Sequence, residues 1–167
     1  EAWELVETLW ISERHGWERW VSLQPPYSIL RRTMEVDHFP VTQRFGIGNM
    51  VWSPLEGGWL TGKYRRGQAN PLDTPRAVKW IGDLGNPKFA RRIEVVEELL
   101  KLAEEKGPSL ARFALKWTLR HPAVTSTIIG PRTLEQLEDA IAALDVTITD
   151  EDAARVDALV PPGTSAL

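Results

Sequence analysis

Apolar residues recur at helical spacing from the start of the chain. Ala2, Leu5, Val6, Leu9 and Trp10, with Gly16 as a C-cap, predict a helix over residues 2 to 15. The apolar run Trp20 to Leu23 stops at Gln24-Pro25-Pro26, where two prolines prevent regular pairing, and reads as a buried parallel strand. After a polar stretch, Gly48-Asn49 introduces a second strand, Met50 to Ser53, which ends at Pro54. Arg65 to Gly85 is rich in Gly, Pro, Asp, Asn and Arg and reads as a long excursion, of a kind that is usually functional or disordered. Asn86-Pro87 is an N-cap with proline at the first helical position, and Phe89, Ile93, Val96, Leu99, Leu100 and Ala103 carry an apolar stripe to Gly107. A second helix starts at Ser109, presents Leu110, Phe113, Ala114 and Trp117 on one face, and closes before His121-Pro122. Val124 to Ile129 is the third strand and runs into Gly130-Pro131-Arg132. Thr133-Leu134-Glu135-Gln136 has capping-box spacing and opens a helix through about Leu144. Thr149 starts a last helix, to about Val160, and residues 164 to 167 read as a loose tail.

Helices alternating with strands define an α/β domain over residues 1 to 163, with about three parallel strands and flanking helices. Three strands cannot close a barrel; a (β/α)8 barrel takes eight strands and roughly 250 residues, so barrel sequence of this length is half of one. The chain has 167 residues, 43% hydrophobic and 26% charged, enough for one core. A formal net charge of -3 and a pI near 5.7 argue against nucleic acid as the main partner. With no cysteine there is no disulfide framework and no thiolate metal site or nucleophile. No apolar run approaches the roughly 18 residues of a membrane span, and no signal-peptide pattern is present, so a soluble, cytoplasmic protein is expected. The first residue is Glu, which suggests processing or a piece of a longer chain.

The candidate chemistry lies in Val51-Trp52-Ser53-Pro54-Leu55-Glu56-Gly57-Gly58-Trp59-Leu60-Thr61-Gly62-Lys63-Tyr64, which joins a short strand to a glycine-rich loop ending in a cation. Such a join turns backbone N–H groups toward a phosphate. The segment resembles the one after the seventh barrel strand of aldo-keto reductases, in the branch that includes potassium-channel beta subunits, and the resemblance extends from near residue 2 to residue 163. Leu23-Gln24 followed by Tyr27-Ser28-Ile29-Leu30 resembles the sixth strand and its exit, and Ile128-Ile129-Gly130-Pro131-Arg132 the eighth. The resemblance thus implies the second half of a TIM barrel. The family's catalytic tetrad lies on the first four strands, and nothing in these 167 residues corresponds to it, so no catalytic residue is assigned.

The resemblance also implies a cofactor site for NADP. Trp52 matches the residue that stacks on the nicotinamide, with core packing as the alternative for one of eight tryptophans. Gln24 matches the glutamine that holds the carboxamide, the alternative being a structural hydrogen bond to neighbouring backbone. Ser53, Pro54, Leu55, Gly57 and Gly62 match the segment that wraps the pyrophosphate, and Lys63 adds positive charge. Arg132, beside Gly130 and just before a helix N-terminus, matches the position that meets the 2′-phosphate, which favours NADP over NAD; a solvated arginine is the alternative. Gln136 and Asp139 match adenosine contacts, although Gln136 is also N3 of the capping box. Ala140 departs from the family, which usually has an adenine-binding asparagine there; losing such a bond costs on the order of 1 kcal/mol.

His15, His38 and His121 have no metal-ligand spacing, and the acidic run from Glu94 to Glu105 reads as a solvated helix face. Three readings remain open. The chain is the cofactor-binding half of a reductase acting on aldehydes or ketones, a non-catalytic NADP-binding module, or a truncated structural piece that self-associates through open sheet edges.

Overall fold

The computed structural model describes residues 1–67 and 83–167, so most of the expected excursion over 65 to 85 lies outside the described residues. Helix α1 (Ala2–His15) is closed by Gly16 at φ 66°. Strand β1 (Ser22–Leu23) precedes α2 (His38–Phe45) and β2 (Gly48–Val51). A 3-10 turn at Pro87–Phe89, capped by the Asn86 side chain, leads into α3 (Ala90–Lys106), which α4 (Leu110–Arg120) follows. Strand β3 (Val124–Thr127), α5 (Leu134–Ile141) and α6 (Asp150–Leu159) complete the order. The strands form one parallel sheet in the order β1-β2-β3.

Burial alternates along β2. Asn49 and Val51 are buried, Gly48 and Met50 are intermediate, and Trp52 beyond them is exposed. On the buried side Val51 joins Tyr27, Ile29, Leu30, Phe39, Leu99 and Phe113 in the core. Asn49 acts there as a polar clamp: its Nδ2 donates to Thr42 Oγ1 of α2 at 2.7 Å and to the Ala123 carbonyl at 2.9 Å, and its backbone N–H donates to Thr125 Oγ1. The bulge between β2 and β3 falls at this residue.

Four expectations need correction. The first strand is shorter than Trp20 to Leu23, and its start is not buried; Trp20 and Val21 are exposed, with the Trp20 indole donating to Thr8. That strand has no described neighbour on its outer edge, so apolar character there does not translate into burial. The second strand runs over Gly48–Val51 rather than Met50 to Ser53, because Ser53 at φ 61° leaves the extended region. The third ends at Thr127, although the Ile128 N–H still donates to the Val51 carbonyl. Finally, the tail is not loose: Arg32 N–H donates to the Thr164 carbonyl, Ala166 N–H to the Leu30 carbonyl, and Ala166 is buried. Helix α2 occupies part of the stretch before Gly48 that the sequence reads as polar. Pro40 lies in the first turn, where its missing N–H costs nothing, between Asp37 as N-cap and Gly46 at φ 66°.

Candidate functional site

Parallel strands bring their carboxyl ends to one edge of the sheet, the edge where ligands bind in α/β folds. Pairings of Leu23 with Asn49 and Val51 with Thr127 set that edge, and a bridge between Pro26 and Trp52 extends it. Gln24, the Trp52–Lys63 segment and Gly130–Arg132 therefore leave from three adjacent strand ends.

The loop after β2 is the most strained backbone described. Ser53 (φ 61°) and Glu56 (φ 45°) are the only non-glycine residues with positive φ among the described residues, and Gly57, Gly58 and Gly62 follow at 65°, 95° and 76°. Left-handed backbone costs an ordinary residue roughly 1–2 kcal/mol, and such strain collects at ligand clamps. Inside the loop, Glu56 N–H donates to the Ser53 carbonyl, and Gly58 and Leu60 N–H to the Leu55 carbonyl. The Ser53 and Leu55 N–H groups, and the Ser53 hydroxyl, make no hydrogen bond with another described residue. Carbonyls turned inward with amides left over is the arrangement found in anion-binding concavities of other proteins.

Lys63 completes it. A Cβ built on Gly58 would lie 3.1 Å from Lys63 Cε and 3.6 Å from Nζ, so the lysine stem crosses the loop where glycine leaves room. The ammonium also stands 5.0 Å from the Tyr64 ring centroid. Beneath the loop, Trp59, Leu60 and Tyr64 are buried, which fixes its base. At Gly62 a Cβ would come within 2.6 Å of Leu100 Cδ2. Nothing in the structure explains the glycine at 130, where an added Cβ meets open space.

Trp52 is 43% exposed, against 3% for Trp59 and 5% for Trp117, and its Nε1 donates to the Gln24 carbonyl at 3.2 Å. Its ring is thus held at the strand ends with a free surface rather than packed in the core. The exposed Gln24 carboxamide makes no hydrogen bond with a described residue, so the structural alternative for it finds no partner. Arg132 is exposed before α5, and its backbone N–H donates to Gln136 Oε1 at 2.8 Å. Thr133 Oγ1 accepts from the Gln136 N–H, so the capping exchange is displaced by one residue and Gln136 spends its carbonyl on it. Asp139 is paired with Arg112 at 2.6 Å. Gln136 and Asp139 therefore already have protein partners, whereas the guanidinium of Arg132 has none among the described residues.

The histidines do not converge. His15 stacks on Trp17, His38 bonds Asp37, and His121 Nδ1 accepts from the Ala123 N–H. Sequence reasoning missed Glu56. Its carboxylate, 9% exposed as a residue, accepts from Arg31 at 2.7 Å and from the Ser28 hydroxyl at 3.1 Å. A carboxylate set between Leu55 and Gly57-Gly58 is unusual in a phosphate-seeking loop, and that mismatch was the available signal.

A parallel α/β sheet with a glycine-rich loop at its carboxyl edge is an arrangement shared by many folds with different functions. The comparisons narrow it. The family model described as the aldo/keto reductase family matches residues 1–161. The chain belongs to that family. It is 35% identical over 150 residues to the uncharacterized oxidoreductase YrpG of Bacillus subtilis, covering 90% of this chain and 43% of that protein. It is 32% identical over 164 residues to a protein of Schizosaccharomyces pombe named as a voltage-gated potassium channel subunit beta, covering 95% of this chain and 47% of that one. Among solved structures, a glycerol dehydrogenase from Gluconobacter oxydans superposes with a TM-score of 0.70 at 29% identity, over 84% of this chain and 43% of that one. The chain spans about half the length of the curated relatives it matches.

Proposed function

We propose that these residues form the cofactor-binding half of a (β/α)8 barrel in an NADP-dependent aldo-keto reductase that reduces aldehydes or ketones. The observation that carries this reading is the Ser53–Gly62 loop. It has two amides and a hydroxyl with no partner among the described residues, strained residues, and the Lys63 side chain across its glycines, all at the end of β2. That donor set fits a pyrophosphate. Arg132, on the next strand end and before a helix N-terminus, fits a 2′-phosphate through a charge-assisted, potentially bidentate contact. Trp52 and Gln24 offer a ring face and a carboxamide where a nicotinamide would lie beyond the pyrophosphate. When bound, NADPH supplies the hydride; these residues supply its orientation and affinity.

The test is a tryptophan-fluorescence titration of the purified chain with NADPH beside NADH. Saturable quenching that favours NADPH is expected, and a folded chain that binds neither overturns the reading. A second reading, an NADP-binding module without chemistry, is supported by the similarity to the potassium-channel-type relative over 95% of the chain. Carbonyl-dependent NADPH oxidation by the chain joined to a barrel half that carries the tetrad separates the two. The isolated chain is expected to give none, because no residue matches the family's tetrad.

A further inference from the structure

Glu56 combines two features that oppose each other. Its backbone is at φ 45°, where glycine would carry no Cβ penalty, and its side chain brings a carboxylate into a loop shaped for anions. Strained residues persist only where their surroundings over-determine them, and here the surroundings are specific. Arg31 and the Ser28 hydroxyl take one carboxylate oxygen each. Both donors sit on a tight turn in which Ser28 N–H donates to the Arg31 carbonyl and Arg31 N–H to the Ser28 carbonyl. That turn is clamped from behind by the carboxyl tail. Arg31 bridges Ser165, and the Leu30 carbonyl accepts from both the Ala166 N–H and the Ser165 hydroxyl. The tail can approach because Gly163 lacks a Cβ, which would lie 2.4 Å from Val36 Cγ2. A continuous path therefore runs from residues 163–166 through the Ser28–Arg31 turn to the loop.

We propose that Glu56 is a positioning residue: anchored by Ser28 and Arg31, its carboxylate holds the loop in the left-handed geometry that presents the Ser53 and Leu55 amides, and so sets dinucleotide affinity without touching the dinucleotide. This rests on the cofactor reading above. Position and charge make opposite forecasts. Removing Glu56 uncovers Arg31, and Arg92 beside it, whose charge Glu56 supports. On charge alone, an anionic ligand would then bind more tightly. If Glu56 positions the loop, the ligand binds more weakly.

The experiment titrates the purified chain and its Glu56→Ala, Glu56→Gly and Arg31→Gln variants with NADPH and with adenosine 2′-monophosphate, which lacks the pyrophosphate. Folding is followed by circular dichroism. NADPH affinity is expected to fall about tenfold or more in all three variants, while adenosine 2′-monophosphate, read by Arg132, stays within about twofold. Unchanged or tighter NADPH binding, or parallel loss of both ligands, overturns the proposal. Amide hydrogen exchange over residues 53–62 gives a ligand-free readout. It should accelerate about tenfold in Arg31→Gln with protection in α3 and α4 retained; no acceleration overturns the positioning claim. If the wild-type chain binds neither ligand, the cofactor reading and the affinity claim fall together, and the exchange result still decides whether Glu56 holds the loop.

Discussion

Arg31 and Arg32 are consecutive residues whose side chains serve different sets of partners. Arg32 is 5% exposed, and each of its three guanidinium nitrogens has a partner. Its guanidinium donates to both Glu35 oxygens at 2.8 and 3.0 Å, to Asp157 and the Val160 carbonyl at 2.6 Å each, and lies 4.9 Å from the Trp117 ring centroid. Tyr27 joins the cluster through its hydroxyl, which donates to Glu35 at 2.7 Å; burial, with the Glu35 charge, holds that phenol well above its ordinary range. The region served by Arg31, at the edge of the Ser53–Gly62 loop, retains amides, a hydroxyl and, on the next strand end, the Arg132 guanidinium without described partners. Charge is present in both regions. Saturation differs: one cluster is satisfied within the protein, whereas the other edge keeps donors with no partner among the described residues.

The largest test of that contrast is Arg32→Met. It strands the buried Glu35 carboxylate beside the Tyr27 hydroxyl and should cost about 3–5 kcal/mol in urea unfolding; a loss under about 1 kcal/mol would erase the distinction. Arg132→Met should leave stability within about 0.5 kcal/mol. It should weaken NADPH binding by about 2 kcal/mol, roughly thirtyfold, with NADH little changed. A smaller effect is expected for Gly163→Ala, where φ 77° and the Val36 contact oppose a Cβ. Thermal unfolding should register a loss of about 1–2 kcal/mol, accompanied by faster proteolysis of the tail.

The smallest effect concerns His121. Burial, opposed by Glu35 and reinforced by Arg32, lowers its pKa below the usual imidazole value, and its Nδ1 accepts from the Ala123 N–H. The unfolded chain therefore binds the proton more readily. Stability is complete above the unfolded pKa and declines as pH falls through about 6.5 toward the folded value. A melting-temperature series from pH 7.5 to 5.5 should show the decline, and His121→Gln should flatten it.

Much of this was legible in the sequence. Asn86-Pro87, Ser109 and Thr149 mark helix starts that the structure keeps, because capping is local chemistry. The strand limits were less legible: burial of Trp20 and Val21 depends on a neighbour rather than on their own side chains. At the candidate site, Trp52 and the glycines stood out because they lie in one contiguous segment that resembles an aldo-keto reductase loop. Glu56 did not, since its meaning depends on Ser28 and Arg31, more than 20 residues away. Helix α2 was less legible, because the stretch before Gly48 reads as polar.

The Asn49 clamp also bears on the order of assembly. Its side chain reaches Thr42 across 7 residues and the Ala123 carbonyl across 74. Closing the longer loop costs roughly 2 kcal/mol more in chain entropy than closing the shorter one. On a ribosome or in a refolding tube, α2 and β2 can settle together early, while the Asn49 amide waits for its second acceptor. Strand β3 is then the last to dock, and the lifetime of that unfinished sheet edge is the interval in which a newly made chain is most exposed to pairing with the wrong neighbour.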